Sequence, residues 1–278
     1  MTRRAWIGLV ALAASGLSGC APLAPAPPPR LDRVPIEARF SARLADRTTR
    51  VTVAEGDYSV WAHRPGGQDP PGVSMRVRLI APDAFRLRVD ALLGTAIDAS
   101  ARRDTLVLNA PVFGLAAVSD AGEDRSSRQD IGGWVWRALS AGWSPPPDAW
   151  AAGTPGDSTW LVSWVDAGDT LALDVAPSGL PRSVHVRGPE GGAGIRYERW
   201  AAWDGVMWPA RIAAADDAGR LSVTLQPSSM ALKARDPAAR TTLRVPRNAT
   251  RMSRSKLLGW IERLAIAAQK DSVDAEGR

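Results

Sequence analysis

The sequence predicts a mainly β (α+β) protein built on an antiparallel meander, and three observations support this. From Val73 onward, apolar and polar residues alternate with a period of two in one segment after another, as in strands with one covered face. Short Gly- and Asp-rich segments that suit hairpin turns separate these runs. Only two segments show helical spacing, which disfavours a parallel βαβ arrangement.

The composition narrows the function classes. The chain has 278 residues, 45% hydrophobic and 23% charged, enough for one large domain or two small ones. Its single Cys excludes a disulfide framework, and a histidine metal centre would need both His63 and His185 plus carboxylates. The net charge of +6 is dispersed along the chain and does not indicate nucleic acid. We predict no metal, no cofactor and no nucleic-acid partner.

The N-terminus has the pattern of an export signal with a lipid-attachment site. Arg3 and Arg4 precede an apolar stretch from Ala5 to Leu17 that is short for a membrane span. The run Leu17-Ser18-Gly19-Cys20 matches the lipobox of bacterial lipoproteins and holds the chain's only Cys. We predict that residues 1–19 are a signal peptide and that Cys20 carries acyl chains such as palmitate. The alternative is an ordinary secretory peptide with an incidental Cys.

Residues 20–35 are predicted to form a lipidated tether. The segment from Ala21 to Pro29 holds five prolines in nine residues, which favours extended polyproline II chain. Positions 21 and 22 are Ala and Pro rather than the Asp that, by resemblance to proteobacterial lipoproteins, retains a protein in the inner membrane. We therefore expect a lipid-anchored protein on the periplasmic face of the bacterial outer membrane.

The first half of the body predicts paired strands followed by a short helix. Alternating residues form two neighbouring strands joined at Ala81-Pro82-Asp83, with one apolar phase consisting of Val73, Met75, Val77, Leu79, Phe85, Leu87 and Val89. Residues 126–143 then place Ile131, Trp134, Val135 and Leu139 near helical spacing. We predict one helix there, ended by Pro145-Pro146-Pro147.

The second half predicts further hairpins and a terminal helix. Alternating apolar residues recur at Leu171, Leu173, Val175, Val184, Val186, Ile195, Tyr197, Leu221, Val223 and Leu225. Gly-containing turns separate them at 166–169, 178–181, 190–194, 204–205 and 216–219. Residues 248–278 are predicted to be an amphipathic helix over 253–269 and a frayed tail. That helix either packs on the domain or binds a membrane surface or partner.

The usual catalytic motifs are missing from the sequence. There is no G-x-S-x-G run, and the only Cys is assigned to lipid attachment. His185 lies within a strand and His63 in a Gly/Pro-rich segment, where structural or exposed roles are commoner than catalysis. Gly191-Gly192-Ala193-Gly194 lacks the spacing of a phosphate-binding loop. We predict that the protein is not an enzyme, although paired carboxylates of a hydrolase stay open as a third hypothesis.

Tryptophan is abundant, and most of it lies in two clusters. Of the 12 tryptophans, the clustered ones are Trp134, Trp136, Trp143, Trp150, Trp160, Trp164, Trp200, Trp203 and Trp208. One interpretation is a sheet whose concave face is filled by its own indole rings. The other is a concave aromatic face that holds an acyl chain or another apolar ligand.

The order of these features resembles the LolA/LolB superfamily of lipoprotein carriers and its uncharacterised lipoprotein relatives. A lipobox, a tether and a meander are followed by Leu92-Leu93-Gly94-Thr95, Ile195 to Trp200, Gly205 to Ile212 and Leu243 to Pro246. The resemblance covers residues 36–247. It implies a curved, unclosed β-barrel of about eleven antiparallel strands, with a few helices covering an apolar cavity that receives acyl chains.

The resemblance and the alternation together predict a function and its residues. We expect an outer-membrane lipoprotein that binds lipid or the acyl chains of lipoproteins and takes part in transporting lipoproteins or lipid to that membrane. The predicted cavity-lining residues are Val77, Leu79, Leu87, Val89, Trp134, Leu139, Leu173, Tyr197 and Val223. Val112, Phe113 and Leu115 are predicted as a membrane-contacting loop, with a buried strand as the alternative. The alternative function is a structural or assembly lipoprotein with a filled core that binds a periplasmic protein.

Overall fold

A computed structural model describes residues 49–63, 72–91, 94–103, 105–111, 114–120, 131–146, 149–153, 160–166, 168–188, 191–219, 222–234, 243–253 and 256–257. The first six strands are β1 (Val53–His63), β2 (Val73–Ile80), β3 (Ala84–Ala91), β4 (Gly94–Arg102), β5 (Thr105–Ala110) and β6 (Leu115–Asp120). A ten-residue helix follows, α1 (Ile131–Ser140). The later strands are β7 (Trp150–Gly153), β8 (Trp160–Asp166), β9 (Asp169–Val175), β10 (Pro181–Gly188), β11 (Gly191–Trp203), β12 (Val206–Asp216), β13 (Ser222–Lys233) and β14 (Thr250–Ser253).

The fourteen described strands form one sheet, in the order β14-β6-β5-β4-β3-β2-β1-β13-β12-β11-β10-β9-β8-β7. Neighbours from β6 to β7 in this order are antiparallel, and β14 runs parallel to β6. Because β14 and β7 are the two ends of the order, the sheet is not closed. The predicted class, a mainly β protein with one unclosed antiparallel sheet, is confirmed, with more strands than the eleven expected.

Strand β1 lies at the centre of the sheet although no strand was predicted before Val73. It pairs with β2 on one side and β13 on the other, and so joins the two halves of the meander. Its alternation is weak because two positions facing the core side are Ala54 and Gly56, opposite Leu79 and Val77. A Cβ at Gly56 would collide with Met230 and with the Ser229 carbonyl, so the close packing of β1 on β13 requires glycine there.

Helix α1 connects the two halves and packs on β3, β4 and β12. Gly132 touches the β2–β3 turn so closely that a Cβ would collide with the Asp83 carbonyl, which explains a residue that weakens an isolated helix. The helix ends at Ser140, earlier than the predicted proline stop. Ala141 adopts a φ of 52°, and Gly142 N donates to Arg137 O at 3.0 Å, so a left-handed cap of the Schellman type ends the helix.

Four of the five predicted turns lie between strands, whereas Gly191 to Gly194 of the predicted turn 190–194 belong to β11 and pair with β10. Gly168, Gly179 and Gly219 have φ values of 98°, 81° and 65°, which glycine adopts without strain. At the tip of β11–β12, Asp204 and Gly205 have φ values of 48° and 75°, as a two-residue type I′ turn requires.

One face of the sheet, the inner face, carries the hydrophobic core together with α1. On β2 and β3 the inner residues are Met75, Val77, Leu79, Phe85, Leu87 and Val89, all buried. The opposite phase forms the outer face and carries arginines. The alternation therefore predicted which phase of these strands is buried.

The two ends of the chain lie mostly outside the described residues, including the predicted signal peptide, Cys20 and the tether. Strand β14 falls within the segment assigned to a helix and tail, so the sheet extends beyond residue 247 to Ser253. Ser253, the first residue of the predicted terminal helix, belongs to β14 instead. Lys256 and Leu257 are helical, and Leu257 is fully buried; residues 254–255 and 258–269 are outside the described residues. Among described helices, none is long and apolar enough to cross a membrane.

Candidate functional site

The structure brings the nine predicted cavity-lining residues to the inner face and its covering helix. Eight of them are at most 8% exposed and belong to one core cluster: Val77, Leu79, Leu87, Val89, Leu139, Leu173, Tyr197 and Val223. Trp134 is half-buried on α1 and packs against the same cluster. These residues form one apolar layer between sheet and helix, which is the candidate site.

Pairs of indole rings pack against each other within this apolar layer. Trp136 of α1 meets Trp208 of β12 edge-on, with ring centroids 6.2 Å apart. Trp134 meets Trp143 in the same way at 5.4 Å. Edge-to-face packing of this kind contributes about 0.5–1.5 kcal/mol per pair beyond the area buried. An apolar ligand between helix and sheet would have to displace such contacts.

Both tyrosines of the chain accept hydrogen bonds from buried indoles. Trp143 Nε1 donates to Tyr197 Oη at 2.7 Å, and Tyr197 Oη donates to the Ala138 carbonyl of α1 at 3.0 Å. Trp208 Nε1 donates to Tyr58 Oη at 3.3 Å. Burial raises the pKa of Tyr58 to about 12, partly offset by this bond from Trp208. Tyr197 attaches the helix to the sheet, whereas Tyr58 joins β1 to β12.

A charged contact attaches the C-terminal end of α1. Arg137 Nη1 lies 2.9 Å from Asp166 Oδ2 of β8, and the guanidinium carbon sits 5.5 Å from the centroid of Trp143. Exposed ion pairs contribute about 0–1 kcal/mol, and a cation–π contact adds about 0.5–1 kcal/mol. The polar attachment of the helix to the sheet is therefore modest.

The prediction of a membrane-contacting loop is wrong for Leu115. This residue begins β6, pairs with Ala110 of β5, and is 7% exposed within the core cluster. Its side chain is buried because it falls in the inner phase of the strand. Val112 and Phe113 lie outside the described residues. The alternative, a buried strand, holds for Leu115.

The two histidines make contacts within the sheet. His63 is the last residue of β1 rather than part of a loop, and its Nε2 lies 2.8 Å from Thr224 Oγ1. His185 Nε2 lies 2.7 Å from Asp217 Oδ1. Among the described residues, no three His, Cys, Asp or Glu side chains are grouped as metal ligands.

The outer face has a groove of about 500 Å³. It is lined by Glu55, Gly56, Asp57, Arg76, Val77, Arg78, Arg86, Arg88, Ser229, Met230 and Ala231. Each arginine is paired with a carboxylate: Arg76 with Asp57 at 3.2 Å, Arg78 with Glu55 at 3.0 Å, Arg86 with Asp98 at 2.6 Å and Arg88 with Asp90 at 2.9 Å. The bond to Asp98 raises the pKa of Arg86, and the bond from Arg88 lowers the pKa of Asp90. This charged, self-paired surface does not suit an acyl chain.

Sequence reasoning missed two side chains that organise the site. Tyr58 lies on the unpredicted strand β1, and its use as an indole acceptor depends on Trp208 of a distant strand. Asp204 was recognised only as a turn residue, but its Oδ2 also accepts from Leu232 N at 2.8 Å. The scarcity of tyrosine beside abundant tryptophan was the one available signal, since buried indoles need acceptors.

Comparison with known proteins shows similarity of fold. No family model matches the sequence, and no curated protein matches it. A DUF1329 family protein from Desulfovibrio piger has a TM-score of 0.51 at 9% identity, over 74% of this chain and 95% of the other. A LolA superfamily protein from Nitrosomonas europaea has a TM-score of 0.48 at 14% identity, over 71% and 94%. The similarity to the DUF1329 family protein shows a shared fold.

The Mycobacterium tuberculosis lipoprotein LppX is also similar, with a TM-score of 0.29 at 16% identity, over 69% of this chain and 95% of the other. At these identities the comparisons concern the fold alone. What the site binds has to be argued from its own residues.

Proposed function

We propose that this chain is a lipid-anchored periplasmic protein that binds an acyl chain between α1 and the inner face of the sheet. In this proposal Cys20 carries the anchor, the outer membrane is the location, and lipid or acylated protein supplies the ligand. No catalytic step is part of it.

One observation carries the proposal: a continuous apolar face spans the sheet and is covered by α1, which has few polar attachments. The face runs from Leu108 on β5 to Leu173 on β9. The helix is held by the Tyr197 bond to the Ala138 carbonyl and by the Arg137–Asp166 pair. Burying a methylene group contributes about 0.8 kcal/mol, so a long acyl chain can offset the loss of these contacts.

Binding can be tested on the full chain purified from membranes and kept soluble in a fluorinated surfactant. A palmitate analogue with a diazirine at its far end would be cross-linked and the modified peptides identified by mass spectrometry. We expect cross-links on inner-face residues such as Leu87 and Leu173, and none on the exposed outer residue Val165. Cross-links confined to the outer face would contradict the proposal.

The anchor is tested separately. Metabolic labelling with an alkyne-bearing palmitate should mark the unaltered chain and not the Cys20→Ser variant, because the thiol is the predicted attachment atom. Labelling that survives Cys20→Ser would disprove the lipobox assignment without affecting the ligand site.

A second candidate function is favoured by the density of the core. Leu79 and Leu173 are 0% exposed, and Trp143 is also fully buried, as expected of a filled barrel. In that case the chain is an assembly lipoprotein that binds a periplasmic partner. Native mass spectrometry that finds no acyl ligand, even after acylated peptide is offered, would favour this function.

A further inference from the structure

Strands β12 and β13 are paired over only part of their length. Their ladder covers only Ile212 to Ala215 opposite Ser222 to Leu225. β12 begins six residues earlier at Val206, and β13 continues to Lys233 while still paired with β1. We call the stretch between residues 206–211 of β12 and 226–231 of β13 the window.

Proline and a side-chain carboxylate shape the window. Each of the two facing segments contains one proline, Pro209 and Pro227, which cannot donate to a ladder. At the hairpin tip, Asp204 Oδ2 accepts from Leu232 N at 2.8 Å, so a carboxylate replaces the missing strand neighbour. The window is thus bounded by the ladder at one end and by this single bond at the other.

Aromatic side chains lie at the inner side of the window. Trp208 is 1% exposed and reaches from β12 to Tyr58 of β1. Trp203, Val206 and Met230 are partly buried and pack against the core cluster. The window therefore borders the same apolar layer that forms the candidate site.

Trp203 differs from the other indoles of this layer. Its Nε1 atom is buried and has no hydrogen-bond partner among the residues that the structure describes, whereas Trp143 and Trp208 each donate to a tyrosine hydroxyl. The chain has only two tyrosines, and both serve those two indoles. Buried donors without an acceptor are rare and costly in folded proteins, so this donor points to an acceptor that the described residues do not provide.

We propose that the ligand enters through the window and that Trp203 Nε1 donates to a carbonyl oxygen at the head of its acyl chain. The assignment rests on the proposed function and deepens it by naming the ligand class, neutral acyl esters and amides. A free fatty acid also has carbonyl-type oxygens, but it is negatively charged, and Asp204, the next residue in the chain, carries a charge of the same sign. Like charges at short range repel, so neutral acyl groups are preferred.

The test uses the full chain in a fluorinated surfactant with two probes of similar length, methyl palmitate and heptadecane. Only the first has a carbonyl. We expect Trp203→Phe to weaken methyl palmitate binding about 5- to 10-fold, the effect of one hydrogen bond, and to change heptadecane binding less than about twofold. Trp200→Phe, the same change on the same strand, is the control and should affect both probes alike.

Nitrogen-15 NMR of the indole groups tests the hydrogen bond directly in the unaltered chain, without comparing binding to a variant. The Trp203 Nε1–H resonance, assigned by its absence in Trp203→Phe, should move downfield with methyl palmitate and stay in place with heptadecane. If methyl palmitate binds without moving this resonance, or if the variant weakens both probes equally, the Trp203 assignment is wrong while the proposed function stands. Failure of both probes to bind the unaltered chain would overturn both.

Discussion

Replacing Tyr197 with Phe should loosen α1 from the sheet without altering the shape of the core. The substitution removes the hydroxyl that accepts from Trp143 Nε1 at 2.7 Å and donates to the Ala138 carbonyl at 3.0 Å. The phenyl ring still fills the same volume. Leaving a buried polar group without its partner costs about 1–3 kcal/mol. The substitution therefore weakens the packing of α1 on the inner face by about this amount.

The expected magnitude follows from that cost. If α1 opens locally, a destabilisation of about 1–3 kcal/mol speeds amide exchange in residues 131–140 about 5- to 150-fold. Global stability should fall by a similar amount, which lowers Tm by about 2–10 °C for a domain of this size. The rate of acyl-probe uptake should rise with the exchange rate, because a chain that enters through the window can occupy the site only when the helix is displaced from the inner face.

Tyr58→Phe is the matched control. It also removes a buried hydroxyl that accepts from an indole, Trp208 Nε1 at 3.3 Å, but this bond joins β1 to β12 and does not involve α1. Hydrogen exchange measured by mass spectrometry should therefore show selective acceleration of 131–140 in Tyr197→Phe alone. Equal acceleration in both variants, or none in either, would refute the idea that Tyr197 holds the cover of the site.

Three further predictions follow from single contacts. Gly132→Ala should destabilise the chain by about 1–3 kcal/mol in urea unfolding, because its Cβ would meet the Asp83 carbonyl; unchanged stability would mean that α1 can shift freely. Burial raises the pKa of Tyr58 to about 12, so the unfolded chain loses this proton first as pH rises, and stability falls by about 2–3 kcal/mol between pH 10 and 12. The stability of Tyr58→Phe should not fall in this way between pH 10 and 12. If stability depends on pH identically in the variant and the unaltered chain, Tyr58 is not the group responsible. In Asp204→Gly the glycine tolerates the positive φ, but the acceptor of Leu232 N is lost, so uptake of the acyl probe should be faster. Asp204→Asn keeps an acceptor oxygen and should leave the uptake rate unchanged. Equal uptake rates in the two variants would argue against the window as the entrance.

The candidate site was predictable in part because alternation reports burial directly. Val77 and Leu87 lie in the inner phase of strands with polar residues between them, and both are buried. Leu115 shows where this reasoning failed, since a short apolar run is compatible with a loop tip as well as with a buried strand. Strand β1 was missed because Gly56 interrupts its apolar phase, and only the contact with Met230 explains that glycine.

Local sequence pattern was sufficient to predict the antiparallel meander, its turns and the face of its strands that is buried. Period-two alternation and glycines that adopt positive φ are features of a few consecutive residues. The lipobox at Cys20 is equally local, and the anchor stays a prediction from the sequence. Contacts between distant residues decided the rest. The pairing of β1 with β13, the tyrosine acceptors of Trp143 and Trp208, and the Asp204–Leu232 bond each join positions far apart in the chain. No periodicity encodes such pairs, because they depend on how the sheet curves and where the helix crosses it.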